Sequence, residues 1–300
     1  MNEQSRPTVG ILLATYNGGR YVDEQINSIR AQVEVNPLII VSDDSSTDST
    51  LSSLRAHAAT GPMQVLPAST ERFGSAGRNF LRLIRDCPVL DQDYYAFSDQ
   101  DDIWLADKLQ RSISTLRATN SVVYSSNVEA FWPDGRTVIL DKAQPLVRHD
   151  HLFESAGPGC TFVMRQDFFI RLRTWVIDNY TSLQSVRVHD WAIYAWARTR
   201  GETWVIDPAV TVRYRQHASN EQGANVGPQQ AWTRAKRLLD GSFRKEALQI
   251  ADAVGDKSPA VEALRRLALI DRFKLVARAS DARRRWRDQQ VIRVFFLLTH

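Results

Sequence analysis

The chain has 300 residues, of which 43% are hydrophobic and 24% are charged, and its formal net charge is +4. This balance is typical of a globular protein with one large domain, or one domain and an appendage. Cys87 and Cys160 are its two cysteines, which argues against a disulfide framework or a structural zinc site and is typical of a reducing, cytoplasmic setting. We expect no secretory signal and no membrane span, since no apolar stretch of about 18 residues occurs.

The N-terminal half alternates strands and helices. Apolar runs predict strands, and apolar residues at helical spacing predict helices between them. The predicted strands are 9–15, 38–41, 63–66 and 94–97, and the predicted helices are 21–32, 48–58 and 75–85. This order predicts a parallel sheet with helices on both faces, and right-handed crossovers place the carboxyl ends of the strands along one edge.

Three polar clusters begin where predicted strands end. They read "ATYNGG", "SDDSSTDS" and "SDQDD". Open α/β sheets bind ligands at the edge formed by the carboxyl ends of their strands. The three clusters together therefore predict a ligand site at that edge.

The rest of the chain changes character along its length. Residues 120–220 are mixed, with strands expected at 122–124 and 204–206, a helix at 191–200 and a tight loop at "GPGCTF". Residues 230–300 are helical by pattern, with breaks at Gly241 and near 256–259. From residue 229 onward there are 16 Lys/Arg and 8 Asp/Glu, whereas the rest of the chain is net −4. We therefore predict one domain over residues 1–225 and a basic helical region over 226–300.

The cluster "SDQDDIW" carries the clearest chemical signal. Asp99 and Asp101 form a D-x-D pair that can hold Mg²⁺ or Mn²⁺, or divide its work between a cation and a ribose hydroxyl. The alternative is an acidic helix N-terminus, in which Asp102 caps a helix that begins at Ile103. Capping explains one carboxylate but not three, so we favour the metal.

The cluster "VSDDSSTDST" is ambiguous by itself. Asp43 and Asp44 follow a predicted strand, and Ser46 or Thr47 would cap the next helix, but Asp and Ser are common in such loops for structural reasons alone. No G-x-G-x-x-G follows the first strand and no P-loop pattern occurs in the chain. A hydride-transfer enzyme and a P-loop ATPase are therefore disfavoured.

Two single residues have both a functional and a structural interpretation. Asp190, at the start of an aromatic helix, is either a general base with a raised pKa or an N-cap. His217 follows a β-like run and is either an ordinary histidine or, with the aspartates, a metal ligand. Arg213 or Arg215 could meet a diphosphate.

As a set, these motifs resemble family 2 glycosyltransferases of the GT-A fold. The resemblance is strongest to the bacterial branch usually labelled rhamnosyltransferases, which build O-antigen and other cell-surface polysaccharides. It rests on "ILLATYNGGRYVDEQINSI", "VSDDSSTDST", "FSDQDDIWLADKL", "GPGCTFVMR", "HDWAIYAWA" and "YRQHASN", in this order over about residues 8–220. It implies a Rossmann-like α/β fold with a mixed, mainly parallel sheet flanked by helices and a C-terminal helical extension. The nucleotide-binding half would span about 8–105 and the acceptor half about 106–225.

The resemblance also implies roles for individual residues. Tyr16 and Asp44 would contact the nucleotide base, and Asp99 the ribose. The residues implied in donor binding are Thr15, Tyr16, Asn17, Asp43, Asp44, Arg78, Asp99 and Asp101. Asp101 and His217 would hold Mn²⁺ or Mg²⁺, and Asp190 would be the catalytic base. The acceptor side would be lined by Gly159, Cys160, Thr161, His189 and Trp191.

The implied activity is metal-dependent, inverting transfer of a sugar from a nucleotide to a hydroxyl of a cell-surface polysaccharide or lipid-linked oligosaccharide. The leading donor is dTDP-L-rhamnose, and a UDP- or GDP-sugar is the alternative. A non-catalytic sugar-nucleotide-binding subunit of a polysaccharide assembly is a second hypothesis. A nucleotidyltransferase is a third, although its usual glycine- and arginine-rich N-terminal loop does not occur.

The basic C-terminal region suggests a partner. Arginines at 283–285 and 287 flank Trp286, and an apolar stretch at 294–298 follows. Such a helix can lie on an anionic membrane surface, which suits a lipid-linked acceptor. The alternative is a helical subdomain that packs on the core or forms a homodimer. No nucleic-acid motif accompanies the basic residues, so we expect no nucleic-acid partner. We expect a cytoplasmic protein, which the membrane interpretation would place on the inner face of the cell membrane.

Overall fold

The computed structural model describes residues 6–69, 72–217, 236 and 240–298. The chain divides into two compact units. The first comprises Met1–Ala143, Gly157–His189 and Thr203–Glu221, and the second comprises Gln144–Ala156, Asp190–Glu202 and Gln222–His300. Two expectations lie partly outside the described residues: the end of the "YRQHASN" motif at 218–220, and the start of the predicted helical region at 226–235 and 237–239.

One mixed sheet organises the first unit. In the described part of the chain its order is β3-β2-β1-β4-β8-β6-β9-β5, and β7 pairs with β6 beside this path. Strands β1 to β4 pair in parallel, whereas β8 runs antiparallel to β4 and β6, β9 is parallel to β6, and β5 is antiparallel to β9. The strands are β1 (Thr8–Thr15), β2 (Asn36–Asp43), β3 (Met63–Val65), β4 (Tyr94–Ser98), β5 (Ile103–Trp104), β6 (Val123–Phe131), β7 (Thr137–Leu140), β8 (Val163–Arg165) and β9 (Trp204–Arg215).

Helices alternate with the first four strands, as the sequence pattern predicts. The helices of the first unit are α1 (Val22–Arg30), α2 (Thr50–Ala58), α3 (Ala76–Asp86), α4 (Lys108–Ala118), α5 (Gln166–Asp178) and α6 (Tyr180–Leu183). Seven of the eight residues of β1 are buried, because a central parallel strand is covered on both faces. Its apolar side chains join those of β2 and α1 in one core cluster.

One disfavoured alternative and one local expectation were wrong. Residues Ile103 and Trp104 form strand β5 rather than the start of a helix, so Asp102 caps nothing there, and α4 begins only at Lys108. Neither Ser46 nor Thr47 caps α2, which begins at Thr50; instead Asp48 Oδ1 accepts a hydrogen bond from the Thr50 amide at 2.9 Å. Asp102 Oδ1 instead accepts from the Arg215 amide of β9 at 3.2 Å, and Ser46 and Thr47 bond to Asn17 in the loop after β1. A local propensity does not register such contacts between distant segments.

The described part of the second unit is mainly helical. Its helices are α7 (His189–Thr199, of which His189 belongs to the first unit), α8 (Ser242–Val254), α9 (Pro259–Arg266), α10 (Leu269–Ala277), α11 (Ala279–Ala282) and α12 (Trp286–Leu298). The predicted breaks are confirmed: Gly241 precedes α8 with a φ of 76°, and α9 begins at Pro259. Among the described helices, none combines the length and apolar character needed to cross a membrane.

Aromatic packing and a buried ionic network stabilise this unit. Phe243 lies 6.0 Å from Trp191 and 5.4 Å from Phe295, measured between ring centroids. The fully buried Arg284 guanidinium donates to the Ser155 carbonyl at 2.7 Å and lies 3.5 Å from Asp150. A buried charge is tolerated only when it is paired and hydrogen-bonded, as it is here.

Candidate active site

The loops after β1 and β2 are bonded together at the carboxyl edge of the sheet. Thr15 and Asp43 are register partners, and the Thr15 hydroxyl donates to Asp43 Oδ1 at 2.8 Å. Asp43 also accepts from the Ser46 amide and hydroxyl at 2.8 and 2.6 Å. Asn17, at a left-handed φ of 46° that Asn tolerates, donates its amide to Ser46 Oγ and accepts from the Thr47 amide, both at 2.8 Å. Asp43 is thus the centre of a rigid two-loop platform.

Asp44 fixes a third loop. Its carboxylate, only 3% exposed, accepts hydrogen bonds from the amides of Phe73 at 2.5 Å and Gly74 at 2.8 Å. These residues lead into α3, whose first turn carries the exposed Arg78. Arg78 Nε donates to the Gln184 carbonyl at 3.0 Å. The structure therefore brings Asp43, Asp44 and the Arg78 segment into connected loops, as the motif order predicts.

Tyr16 is held by two residues that the sequence did not single out. Gln100 clamps its backbone: the Tyr16 amide donates to Gln100 Oε1 at 2.8 Å, and Gln100 Nε2 donates to the Tyr16 carbonyl at 2.9 Å. The Arg72 guanidinium lies 4.2 Å above the centroid of the exposed Tyr16 ring, a cation–π contact. A Cβ at Gly18 would collide with the Gln100 amide, so this close approach needs glycine. The only feature of the sequence that could have pointed to a role for Gln100 is its position between Asp99 and Asp101.

The end of β9 brings His217 to the aspartate cluster. Antiparallel pairing of β5 with β9 places Ile103 opposite Arg213. Four residues on, His217 Nε2 lies 2.7 Å from Asp101 Oδ2. The imidazole stacks on Tyr21 with ring centroids 4.9 Å apart. The predicted pair of Asp101 and His217 therefore does come together in space.

Both arginines that flank this segment are engaged with protein groups. Arg215 Nε donates to the Asp101 carbonyl at 2.8 Å, and its guanidinium pairs with Glu24. Arg213 pairs with Glu129 at 3.3 Å. Arg215 therefore shapes the backbone of the aspartate loop, which is a role that the sequence interpretation missed.

A second group of possible ligand atoms lies beside the first. One oxygen each from Asp99 and Asp102 and the Cys160 sulfur lie within 4.8 Å of one another. Asp102 is fully buried, and no N–H or O–H group of the described residues donates to its Oδ2. Burial, with the nearby charges of Asp101 and Asp99, raises the pKa of Asp102 well above its usual range. Burial likewise raises the pKa of the Cys160 thiol, so this sulfur stays protonated and is a poor ligand for a hard cation.

Lys108 is a further buried charge near this cluster. On the first turn of α4, its side chain is fully buried, with Nζ 3.3 Å from the centroid of the Trp104 ring and no hydrogen-bond acceptor among the described residues. Burial lowers the pKa of Lys108 to about 7, against the opposing influence of Cys160 and Asp102. The helical spacing could have predicted that Lys108 is buried, because Lys108 shares a face of α4 with the buried Ser112 and Leu116.

The residues predicted for the acceptor side divide between the two units. Gly159, Cys160 and Thr161 form a short 3₁₀ turn in the first unit and are all buried. His189 stacks on Phe80 with ring centroids 4.3 Å apart, and its Nε2 is enclosed without a hydrogen bond from the described residues. Desolvation lowers the pKa of His189 to about 3, so the imidazole is neutral near pH 7.

Asp190 and Trp191 belong to the second unit. Trp191 is buried and its Nε1 donates to the His151 carbonyl at 2.7 Å. Asp190 is partly exposed, and its Oδ1 accepts from the Trp191 amide at 2.6 Å. Packing accounts for the positions of His189 and Trp191, and contact of either with an acceptor stays a prediction.

The donor set near the D-x-D pair fits a divalent cation. Asp101 and His217 present one oxygen and one nitrogen 2.7 Å apart at the sheet edge. The carboxylate suits Mg²⁺ or Mn²⁺, and the imidazole suits a transition metal. The same contact is an ion pair if the imidazole is protonated.

Comparisons with known proteins identify the family. Residues 11–174 match the model of glycosyl transferase family 2. The chain is 42% identical over 248 residues to "dTDP-rhamnosyl transferase RfbG" of Shigella flexneri, covering 82% of this chain and 86% of that one.

Two solved structures share the fold. TarS 1–349 of S. aureus in complex with UDP-GlcNAc matches with a TM-score of 0.58 at 15% identity, over 95% of this chain and 79% of that one. The mannosyltransferase PcManGT from Pyrobaculum calidifontis, in complex with GDP-Man and Mn²⁺, matches with a TM-score of 0.51 at 16% identity, over 98% of this chain and 85% of that one. These confirm the expected GT-A fold. The chain belongs to glycosyltransferase family 2 and is an enzyme of that family, similar to a rhamnosyltransferase over most of its length.

Proposed function

We propose that the chain transfers L-rhamnose from dTDP-L-rhamnose, with inversion and with a divalent metal, to a hydroxyl of a cell-surface polysaccharide or lipid-linked oligosaccharide. The donor is suggested by the 42% identity to a protein named as a dTDP-rhamnosyl transferase. The observation that carries the metal dependence is the 2.7 Å approach of Asp101 Oδ2 and His217 Nε2 at the carboxyl edge of the sheet.

Asp101 and His217 would hold the metal. Bound there, Mn²⁺ or Mg²⁺ would supply positive charge against the diphosphate leaving group. The Tyr21 ring stacked on His217 and the bond from Arg215 to the Asp101 carbonyl orient the two ligands. Contacts that orient the metal ligands in this way influence the affinity for the metal.

The rest of the donor site is assigned to the connected loops. Asp43 and Asp44 would position the base-binding loops, with Tyr16, Thr15 and Asn17 against the base, because their own hydrogen bonds already order these loops. Asp99 would bind the ribose, and the exposed Arg78 would face the phosphates. Pre-ordered loops lower the entropic cost of binding.

Asp190 is assigned as the catalytic base. Its carboxylate would take the proton of the acceptor hydroxyl while that oxygen bonds to C1 of the sugar and the bond from C1 to the diphosphate oxygen breaks. A single displacement of this kind inverts the anomeric centre and needs no covalent intermediate. Gly159, Cys160, Thr161, His189 and Trp191 remain assigned to the acceptor side.

The proposal also covers organisation and location. We keep in the proposal a boundary near residue 225, which divides a catalytic domain from a helical region. A lipid-linked acceptor lies at a membrane, so the chain would be cytoplasmic and peripheral on the inner face of the cell membrane. A homodimer through the C-terminal helices is the alternative use of that region.

Calorimetry tests the donor half of the site. The protein is titrated with dTDP, UDP and GDP, with and without Mn²⁺, and we expect metal-dependent binding of dTDP. Asp101→Ala should weaken that binding by at least the roughly 10–100-fold typical of damage to a metal site. Asp178→Ala, an exposed aspartate at the end of α5, is the matched control and should bind normally. Absence of any nucleotide binding by the folded protein with metal present would require the site assignments to be withdrawn.

Transfer assays test the base. Asp190→Ala should bind dTDP nearly as the wild type does, yet lose about 10²–10⁴-fold in turnover. Unimpaired transfer by this variant rules out the role given to Asp190. Turnover of a UDP- or GDP-sugar in place of dTDP-L-rhamnose would change the donor, and donor binding without turnover on any acceptor would favour a non-catalytic subunit.

A further inference from the structure

Helices α10 and α12 of the second unit concentrate the exposed apolar surface of the protein. Among the described residues, fifteen large apolar side chains are exposed, and eight of them lie between residues 269 and 298. Each of the eight is 46–70% exposed. They are Leu269, Ile270, Phe273, Trp286, Val291, Val294, Leu297 and Leu298, and together they form what we call the α10–α12 surface. Exposed apolar side chains concentrated on two packed helices are typical of an interaction site.

The exposure follows from how the two helices pack. Their inner faces contact each other and bury Leu275, Ile292 and Phe296, and Arg272 donates to the Leu297 carbonyl at 3.3 Å. On α10 the exposed positions 269, 270, 273 and 277 share one face, and on α12 the exposed positions 287, 291, 294 and 298 do the same. Apart from Arg287, the positions on these outer faces are apolar, so each helix is largely apolar on its outer face as well as on its inner face.

The same segment is strongly basic. Residues 269–298 contain eight Lys/Arg and three Asp/Glu, a net charge of +5. One of the acids, Asp271, is already paired with Arg266 at 3.2 Å. Lys274 is exposed on α10, and Arg278 is exposed directly after its last residue. The described residues offer neither an ion pair. The apolar face of α10 is thus bordered by two exposed cations, whereas Arg283 and Arg284 of the same segment are paired with Glu154 and Asp150.

A cavity opens beside these cations. It has a volume of about 320 Å³ and is lined by residues of α9, α10 and α12, including Lys257, Lys274, Arg278 and Phe296. Glu262 and Asp271 also line it, the latter committed to Arg266. The cavity is large enough for a phosphate-bearing group. Two of its cations, Lys274 and Arg278, lie on or directly after the helix that carries Ile270 and Phe273.

The positive charge beside the α10–α12 surface distinguishes between a second copy of the chain and an anionic lipid bilayer as its partner. A second copy of this chain would bring the exposed cations Lys274, Arg278 and Arg287 of one surface toward those of the other, and like charges placed face to face oppose association. An anionic lipid bilayer satisfies both features, because the apolar side chains enter the acyl boundary and the basic ones contact the headgroups. Trp286, beside arginines, has the amphipathic character of residues at a membrane interface.

We propose that the α10–α12 surface docks on an anionic lipid bilayer, with Lys274 and Arg278 at lipid phosphates. This extends the proposed function, in which the acceptor is carried by a lipid. Vesicle binding needs neither donor nor transfer, so a failure of the rhamnosyl assignment and a failure of this proposal are told apart directly.

Co-sedimentation of the whole chain with vesicles tests the proposal. The vesicles contain phosphatidylcholine alone or with about 30% phosphatidylglycerol, and we expect binding only to the anionic ones, weakened by salt. Lys274→Glu with Arg278→Glu should reduce binding at least 25-fold, at about five-fold for each positive charge removed. Ile270→Ser with Phe273→Ser should reduce it about ten-fold or more.

Matched controls use exposed residues of the first unit. Ile139→Ser on β7 and Arg55→Glu on α2 change side chains of similar exposure and type, and both should bind vesicles as the wild type does. Circular dichroism establishes that each variant is folded. The proposal is overturned by equal binding to neutral vesicles, by absence of binding to both, or by a loss that the control variants share. A soluble dimer that the α10 variants dissociate, without vesicle binding, would assign the surface to a second copy instead.

Discussion

Removal of the buried amine of Lys108 should change how the stability of the protein depends on pH. Lys108 is fully buried against Trp104, and burial lowers its pKa from 10.5 to about 7. Between these two values the unfolded chain binds a proton that the folded protein does not. The stability contributed by this group is therefore present above pH 10.5 and is lost as the pH falls through about 7.

The difference between the two pKa values sets the size of the effect. At about 1.4 kcal/mol per pKa unit, it corresponds to about 5 kcal/mol between the limits. Between these two pKa values, the difference of one bound proton makes the free energy of unfolding rise by up to about 1.4 kcal/mol per pH unit. The free energy of unfolding of the wild type should thus rise by roughly 2 kcal/mol, relative to Lys108→Met, between about pH 7.5 and 9.5.

Urea unfolding of both proteins across this range measures the difference. Other titrating groups are common to the two proteins and cancel, provided that the structure is otherwise unchanged. Lys245→Met, which alters an exposed lysine on α8, is the control and should run parallel to the wild type. Parallel curves for the wild type and Lys108→Met would refute the reasoning, because the ammonium would then titrate alike in the folded and unfolded states.

Two further substitutions test the buried polar contacts. Arg284→Met should lower the free energy of unfolding by about 3–5 kcal/mol, because it leaves the buried carboxylates of Asp150 and Glu154 short of a partner; chemical denaturation measures this, and the exposed Arg287→Met is the control. Asp44→Asn should cost about 2 kcal/mol by the same measurement, since an amide group has one oxygen to accept from the two amides of residues 73 and 74. A loss below about 0.5 kcal/mol in either variant would mean that the contact contributes little to stability.

Local pattern was sufficient for the order of elements. Strands β1, β2 and β4 were predicted from short apolar runs that end in polar turns, and the alternation with α1, α2 and α3 followed from helical spacing. The breaks at Gly241 and Pro259 were also readable, because a left-handed φ and a helix-starting proline depend on residue type alone. The set of aspartates at the sheet edge followed from the same logic, since parallel strands end on one side.

The environments of the individual aspartates at the sheet edge could not be predicted from local sequence pattern. Asp101 and Asp102 are neighbours in the sequence, yet Asp101 meets His217, 116 positions away, and Asp102 is enclosed and has a raised pKa. Gln100 and Arg215 shape the site through contacts that cross between distant segments. Neither contact has a signature in the residues that surround it in the sequence.

The sequence by itself determined the family, the element order and the edge of the sheet at which the aspartate clusters gather, because each depends on residue type and spacing along the chain. Only the tertiary structure decided that Asp101 faces a histidine, that Asp102 is buried with a raised pKa, and that the Lys108 amine lies over an indole. These outcomes depend on long-range strand pairing, as between β5 and β9, and on desolvation by whatever packs around each group. Both are properties of the assembled fold, which spacing along the chain does not encode.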